Sequence, residues 1–541
     1  MRSIWARRRT VRLAVMAASL ALLAAACTGA GDPAEPSGSD GDGVLGGIEG
    51  VELVPGILLI SNGTDRVTIG DATVRFPGPV TDAAWSPDGS RIAYVDGDGN
   101  IATARPDGSD VLVLTATDRS VVRSRPSWSR QWLLYAEKKA DGTSALRSVP
   151  TNGCPIGRGP VTGEDWWMDT GDGTSYIDLA PSASTARRPM RIAFQHDEPS
   201  GPEIWVNDSN QRVPRTYKLV DGSEPALSLD GQKLAYVGRD GDIYVSTLPM
   251  STAPGTRVSA GAQHATRLVW SPDGQHIAYS TDDSVQQVSA SGEASAPTAL
   301  APTKGVPSYL PGSDNFLFPV TAADPTALSI AASQARWAGV GFFAPGQGYE
   351  GALSATIALA QQPPAVGAPF GPTLLIGESN QLDPRIVAEL RRVFGAVDTD
   401  AEEWARPTVS VAEGVSAAID AELRAIGYLV SREPLQEAYS NDLCASNDGR
   451  ALFEQRLVVV NRNDSAAVGL GRSFAINGPV LKLDGELTEE QRAWLRHSSG
   501  VVESVYVIGS VPEEVQQQIA DLLAGPLGFT TTHNPVAPSL S

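Results

Sequence analysis

Five groups of residues in this chain are of types that do chemistry. Gly471-Arg472-Ser473-Phe474-Ala475 has the opening Gly and central Ser of a nucleophile elbow, but Ala475 stands where the closing Gly belongs. Ser473 lies too near the end of the chain for a full hydrolase sheet to follow it, and only His497 and His533 lie beyond it as bases, so a serine hydrolase is the remote alternative. Asp96-Gly97-Asp98-Gly99-Asn100 starts like a calcium loop with Asp107 at the twelfth position, yet Ile101 occupies the place that needs Gly. The similar Arg239-Asp240-Gly241-Asp242 marks such stretches as hairpin turns. The five histidines, His196, His264, His276, His497 and His533, show no ligand spacing, so no metal is expected. Gly346-Gln347-Gly348 is too short to cradle a phosphate. No catalytic residue and no cofactor is therefore assigned. The fifth group joins Cys154, Glu164, Asp165, Trp166, Trp167, Asp169 and Asp172 in one insertion. Its adjacent indoles either pack the loop onto its neighbours or form a ligand or glycan platform, with Asp165 and Asp169 binding hydroxyls or bridging cations.

A further reactive group is the Cys27 thiol. Arg2, Arg7, Arg8, Arg9 and Arg12 precede an apolar run from Leu13 to Leu23, which is the pattern of a signal peptide and is short for a membrane span. The run ends at Ala24-Ala25-Ala26-Cys27. Small residues directly before a cysteine resemble the bacterial lipobox, with Ala24 standing where that motif usually has Leu. The resemblance implies cleavage after residue 26, a diacylglycerol on Cys27, and anchoring at the extracytoplasmic face of the cell membrane. Residues 27–50 are Gly, Ser, Asp, Pro and Ala with little to bury, and read as a disordered tether.

The formal net charge of −20 argues against a nucleic-acid partner, which is bound by neutralising phosphates with Lys and Arg. Export permits a disulfide between Cys154 and Cys444, and the sequence leaves open whether they pair.

The elements that must carry these residues come from two internal repeats. Ala84-Trp85-Ser86-Pro87-Asp88-Gly89-Ser90-Arg91-Ile92-Ala93-Tyr94 recurs as Val269-Trp270-Ser271-Pro272-Asp273-Gly274-Gln275-His276-Ile277-Ala278-Tyr279, with weaker copies at Trp128 and Leu227. Trp85 and Trp128 are 43 residues apart, as are Leu227 and Trp270, the length of one four-stranded propeller blade. Ser-Pro-Asp-Gly suits a tight turn, and the Ile-Ala-Tyr run after it suits a buried strand. Blades are expected to start near 80, 123, 180, 223, 265 and 306. The sixth begins with Ser308-Tyr309-Leu310-Pro311-Gly312, continues with Phe316-Leu317-Phe318, and takes its remaining strands from the stretch 57–68, closing the ring. An all-β six-bladed propeller over 51–320 is the expectation, with seven blades as the alternative. The repeated turn resembles the TolB-like propeller family, a likeness that implies fold more than function.

After Phe318 the texture becomes α/β. Pro372-Thr373-Leu374-Leu375-Ile376 and the helix from Arg385 to Val393 match Pro479-Val480-Leu481-Lys482-Leu483 and the helix from Glu489 to Leu495. Val409 to Ile419 matches Val505 to Val515 without a gap, and Val340 to Gly346 faces Leu457 to Asn461. Two tandem α/β repeats, Rossmann-like with parallel sheets, are expected over 324–430 and 431–530, with a tail from 531 to 541. Thr326-Ala327-Leu328, Ala344-Pro345-Gly346, Gly351-Ala352-Leu353, the Pro372 strand and Val505 to Gly509 resemble the cell wall-binding repeat 2 family of Gram-positive surface proteins. Gly351 replaces that family's helix-start Asp, and Glu413-Gly414 and Gly509-Ser510 replace its paired glycines. The resemblance implies non-covalent attachment to a cell-wall polymer, with the propeller binding an envelope protein or another ligand. The alternative is a protein-facing scaffold or sensor without wall affinity.

Overall fold

The computed structural model describes most of residues 48–531, leaving out 152–181, 184–190, 209–214, 249–254, 337–356, 361–372, 433–455 and shorter loop runs. Three short strands come first, β1 (Leu58–Ser61), β2 (Arg66–Ile69) and β3 (Ala72–Arg75). The first blade is β4 (Thr81–Trp85), β5 (Ile92–Val95), β6 (Ile101–Ala104) and β7 (Leu112–Val113). The second holds β8 (Val121–Ser129), β9 (Trp132–Lys139) and β10 (Ser144–Pro150). The third is β11 (Ser182–Ala183), β12 (Arg191–Glu198), β13 (Gly201–Asp208) and β14 (Arg215–Asp221). The fourth runs through β15 (Ser223–Leu227), β16 (Lys233–Val237), β17 (Ile243–Thr247) and β18 (Thr256–Arg257). The fifth is β19 (Thr266–Trp270), β20 (His276–Ser280), β21 (Val285–Ser289) and β22 (Thr298–Ala301).

The ring closes through β23 (Val306–Tyr309), which pairs antiparallel with β1, giving the sheet order β23-β1-β2-β3. The sixth blade thus takes one strand from the late part of the chain and three from the early part, and the open edges of both disappear. Six blade sheets stand among the described residues, as the repeat spacing predicts.

The repeated Ser-Pro-Asp-Gly turn is held by its own side chains. Ser86 Oγ donates to Asp88 Oδ1 at 2.8 Å and accepts the Arg91 N–H at 3.0 Å. Ser228 with Asp230 and Lys233, and Ser271 with Asp273 and His276, repeat both bonds. Local chemistry alone therefore explains why the motif is legible three times.

The second part of the chain contains β24 (Asn315–Val320), α1 (Pro325–Arg336), β25 (Ile357–Ala360), β26 (Thr373–Leu375), α2 (Pro384–Phe394), β27 (Thr408–Val411), α3 (Ala417–Ile426) and β28 (Leu429–Arg432). There follow β29 (Arg456–Asn461), α4 (Ser465–Ala475), β30 (Val480–Leu483), α5 (Glu489–Ser498), β31 (Ser504–Ile508), α6 (Glu513–Leu523) and β32 (Phe529–Thr531). Two sheets result, β26-β25-β27-β28 and β30-β29-β31-β24-β32, and all their pairings are parallel. One core packs α1 and α4 with residues of both sheets, and another packs α5 and α6 on the far face of the five-stranded sheet.

Two expectations change. Phe316-Leu317-Phe318 is not a strand of the sixth blade: β24 inserts between β31 and β32 of the parallel sheet. Leu317 packs on the α5/α6 side, and Phe318 stacks on Tyr506 with ring centroids 4.8 Å apart. A short run apolar on both faces suits a blade strand and a buried parallel strand equally, and tertiary packing decides. The strand of the smaller sheet that holds the position of β29 is β25, Ile357–Ala360, rather than the stretch from Val340 to Gly346, which lies outside the described residues.

Candidate functional site

Within a blade, antiparallel strands put the turns after the first and third strands at one end of the propeller and the start of the innermost strand at the other. The two ends of the channel differ in chemistry. At the start of the innermost strands four charged residues occupy one repeat position: Asp82, Arg125, Glu224 and Arg267, each three residues before Trp85, Trp128, Leu227 or Trp270. The register of each strand slips here, between Thr81/Ala84, Ser124/Ser127, Ser223/Ala226 and Thr266/Val269. Each charged residue sits at positive φ, 55°, 56°, 54° and 57° respectively. A β-bulge with a left-handed non-glycine residue is held only by compensating contacts, at a cost of order 1–2 kcal/mol apiece.

Those contacts form a circuit. Asp82 Oδ2 accepts the Arg125 backbone N–H at 3.0 Å, and Glu224 Oε2 accepts the Arg267 N–H at 2.6 Å. The guanidiniums then cross the channel: Arg125 donates twice to Glu224 at 2.6 and 2.9 Å, and Arg267 reaches Asp82 at 2.9 Å. Blades one and two are thereby tied to blades four and five. Gln195 Oε1 of the third blade accepts the Glu224 N–H at 3.0 Å. Burial alone would raise the Glu224 carboxyl, but the charge and hydrogen bonds of Arg125, with help from Arg267, hold it below its ordinary value. Burial, with Arg125 nearby, lowers Arg267, and Asp82 and Glu224 oppose this. Beneath the circuit a cavity of about 180 Å³ runs along the inner strands to Leu229, Pro272 and Pro311. The Trp128 and Trp270 indoles donate across blade seams to the Ala84 and Ala226 carbonyls, at 3.0 and 2.9 Å. The equivalent Trp85 indole N–H is buried without such a partner, at the seam beside the ring-closing strand β23.

At the other end, the first blade docks on the α/β layers. Asp88 Oδ2 accepts the Gly500 N–H at 3.2 Å and the Asn315 amide at 3.1 Å. Arg91, fully buried, donates to Thr103, to Asp110 at 2.8 Å, and to the Arg496 carbonyl at 3.2 Å. The His497 imidazole lies 3.5 Å from Asp110. Burial would raise the Asp110 carboxyl, yet hydrogen bonds from His497 and Arg91 and the charge of Arg91 hold it well below the carboxylate range. A methyl group on Gly500 would meet Ser86, and one on Gly525 would sit 2.5 Å from the Asp88 carbonyl, so both glycines permit this close approach. Asp230 and Asp273, equivalent to Asp88, lack this burial and show their turns free of such a dock.

Cys27, Trp166, Trp167, Asp165 and Asp169, with Cys154 and Cys444, lie outside the described residues. Ser473 falls within α4, the helix after β29. Asp96 accepts the Asp98 and Asn100 N–H groups, a hairpin arrangement. The circuit lies two residues before the recurring Ala84–Tyr94 stretch, where Asp, Arg, Glu and Arg alternate in charge without sharing the residue identity that makes a repeat visible. No helix among the described residues is long and apolar enough to cross a membrane.

No protein-family model and no curated protein matches the chain. Solved structures similar to it include TolB from Acinetobacter baumannii, at 16% identity over 47% of this chain and 66% of that one, with a TM-score of 0.35. The chain thus spans just under two thirds of that TolB. The β-propeller domain of Cps50 (Swd1) from Myceliophteria thermophila is similar at 12% identity over 48% and 90% of the two chains, TM-score 0.30. The dihydro-heme d1 dehydrogenase NirN is similar at 16% identity over 45% and 53%, TM-score 0.29.

Proposed function

We propose that the chain is a non-catalytic envelope lipoprotein, held to the membrane through Cys27, whose propeller is a protein-binding platform and whose α/β layers bind a cell-wall polymer. The observation that carries the platform reading is the circuit across the channel. The charges at the mouth of the channel are spent on one another, so the surface this proposal offers to a partner is the propeller's open rim. That rim lies at the end away from the docked first-blade turn, which orients it away from the α/β layers. The polymer role rests on the resemblance of the C-terminal segments to cell wall-binding repeats, two copies of one strand-helix unit in this reading. The strand orders β26-β25-β27-β28 and β30-β29-β31, with β32 beyond the inserted β24, support such a duplication.

Two measurements test it. In a bacterium that processes lipoproteins, the full chain should fractionate with membranes and Cys27→Ser should be released; equal distribution removes the anchor. Residues 44–541 should co-sediment with purified cell walls. A soluble, wall-indifferent protein that self-associates would favour the protein-facing scaffold instead.

A further inference from the structure

The hairpin of the third blade brings together one imidazole and two carboxylates from its two adjacent strands. Strands β12 and β13 pair in register, with His196 opposite Glu203 and Glu198 opposite Gly201. Residues two apart on a strand share a face, and so do directly opposed residues. His196, Glu198 and Glu203 therefore project from the same side, and one ligand atom from each falls within 4.8 Å of the other two. His196 Nδ1 and Glu198 Oε1 are 3.4 Å apart. Bonds of about 2.0–2.1 Å to a tetrahedral zinc ion place neighbouring ligand atoms about 3.3–3.4 Å apart, so this edge is already at ligation distance.

We propose that this hairpin binds a divalent transition-metal ion of the zinc class through His196, Glu198 and Glu203, leaving at least one position open to water or a partner's side chain. The donor set selects the ion. An imidazole with two carboxylates suits zinc and its first-row neighbours, whereas calcium and magnesium take oxygen ligands alone. Burial orients the ligands: His196 is buried with its ring edge-on to Trp205 at 6.4 Å, and the Trp205 indole donates to Glu203 Oε2 at 3.2 Å. Such outer hydrogen bonds fix a ligating carboxylate. Lys218 Nζ lies 2.6 Å from Glu203 Oε1 and 2.8 Å from Asp221, so its ammonium competes with the ion for Glu203. Being 41% exposed, that lysine is weakly held and has Asp221 to fall back on.

The test is titration of the metal-stripped full chain with zinc chloride and, in parallel, with cobalt chloride, whose visible absorption reports tetrahedral ligation. Expected is a saturable site whose affinity falls at least about tenfold in His196→Gln and in Glu198→Gln. Glu198 is 38% exposed, so its substitution leaves folding intact, which circular dichroism checks. Lys218→Met should tighten binding by removing the competing charge. Zinc uptake equal in wild type and both ligand variants, or a cobalt spectrum that stays octahedral, overturns the site. Weaker binding in Lys218→Met overturns the place of Glu203 in it.

Discussion

Arg125 and Glu224 meet across the propeller channel in a two-pronged ion pair, at 2.6 and 2.9 Å, from positions 99 residues apart. Each sits at the same bulge of its own blade, at positive φ. The pair therefore joins the second and fourth blades across the mouth of the channel and offsets the cost of two strained backbones.

Glu224→Gln leaves Arg125 and Arg267 facing the channel with half their counter-charge. A loss of about 3 kcal/mol is expected, as for a broken buried pair. Denaturant unfolding with an unchanged m-value checks it, and a cycle with Arg125→Met should return a coupling above about 1 kcal/mol. A loss under about 0.5 kcal/mol would show that the crossing bonds hold nothing.

Gly525→Ala drives a methyl group against the Asp88 carbonyl, where the added Cβ would lie 2.5 Å away. Overpacking of about 1–3 kcal/mol is expected, read by calorimetry as a lowered or split transition. Gly292→Ala, whose Cβ meets nothing within 4 Å, is the control. Identical melting of the two variants would remove the docking contact from the stability of the chain.

Asp110 is a carboxyl whose folded value is depressed, through hydrogen bonds from His497 and Arg91 that overcome its burial. A depressed carboxyl stabilises fully above its unfolded value of about 3.9, and that stability is lost as pH falls toward the folded value. The melting temperature of the wild type should therefore drop more steeply below about pH 4 than that of Asp110→Asn. Parallel curves would sink the assignment.

A fragment starting at Gly312 retains β24, whereas one starting at Asp324 lacks the strand between β31 and β32. The longer fragment should melt cooperatively. The shorter should aggregate or lose its transition, because two parallel strands are left with unpaired edges. Equal cooperativity in the two would show that β24 is dispensable to the sheet.

By itself the sequence determined the blades. A Ser-Pro-Asp-Gly turn is closed by bonds among residues two to five apart, so its chemistry is complete within the motif and survives each repetition. The C-terminal helices were legible for a similar reason, through apolar residues at helical spacing like Ile419 and Leu423. Tertiary structure alone decided the rest. Phe316-Leu317-Phe318 is apolar on both faces and suits either sheet, until Tyr506 and the α5/α6 core select one. Asp82 and Arg267, or His196 and Glu203, are ordinary charged positions in the chain. They acquire a partner only when blade closure or strand register brings them within hydrogen-bond or ligation reach, and no local pattern encodes that distance.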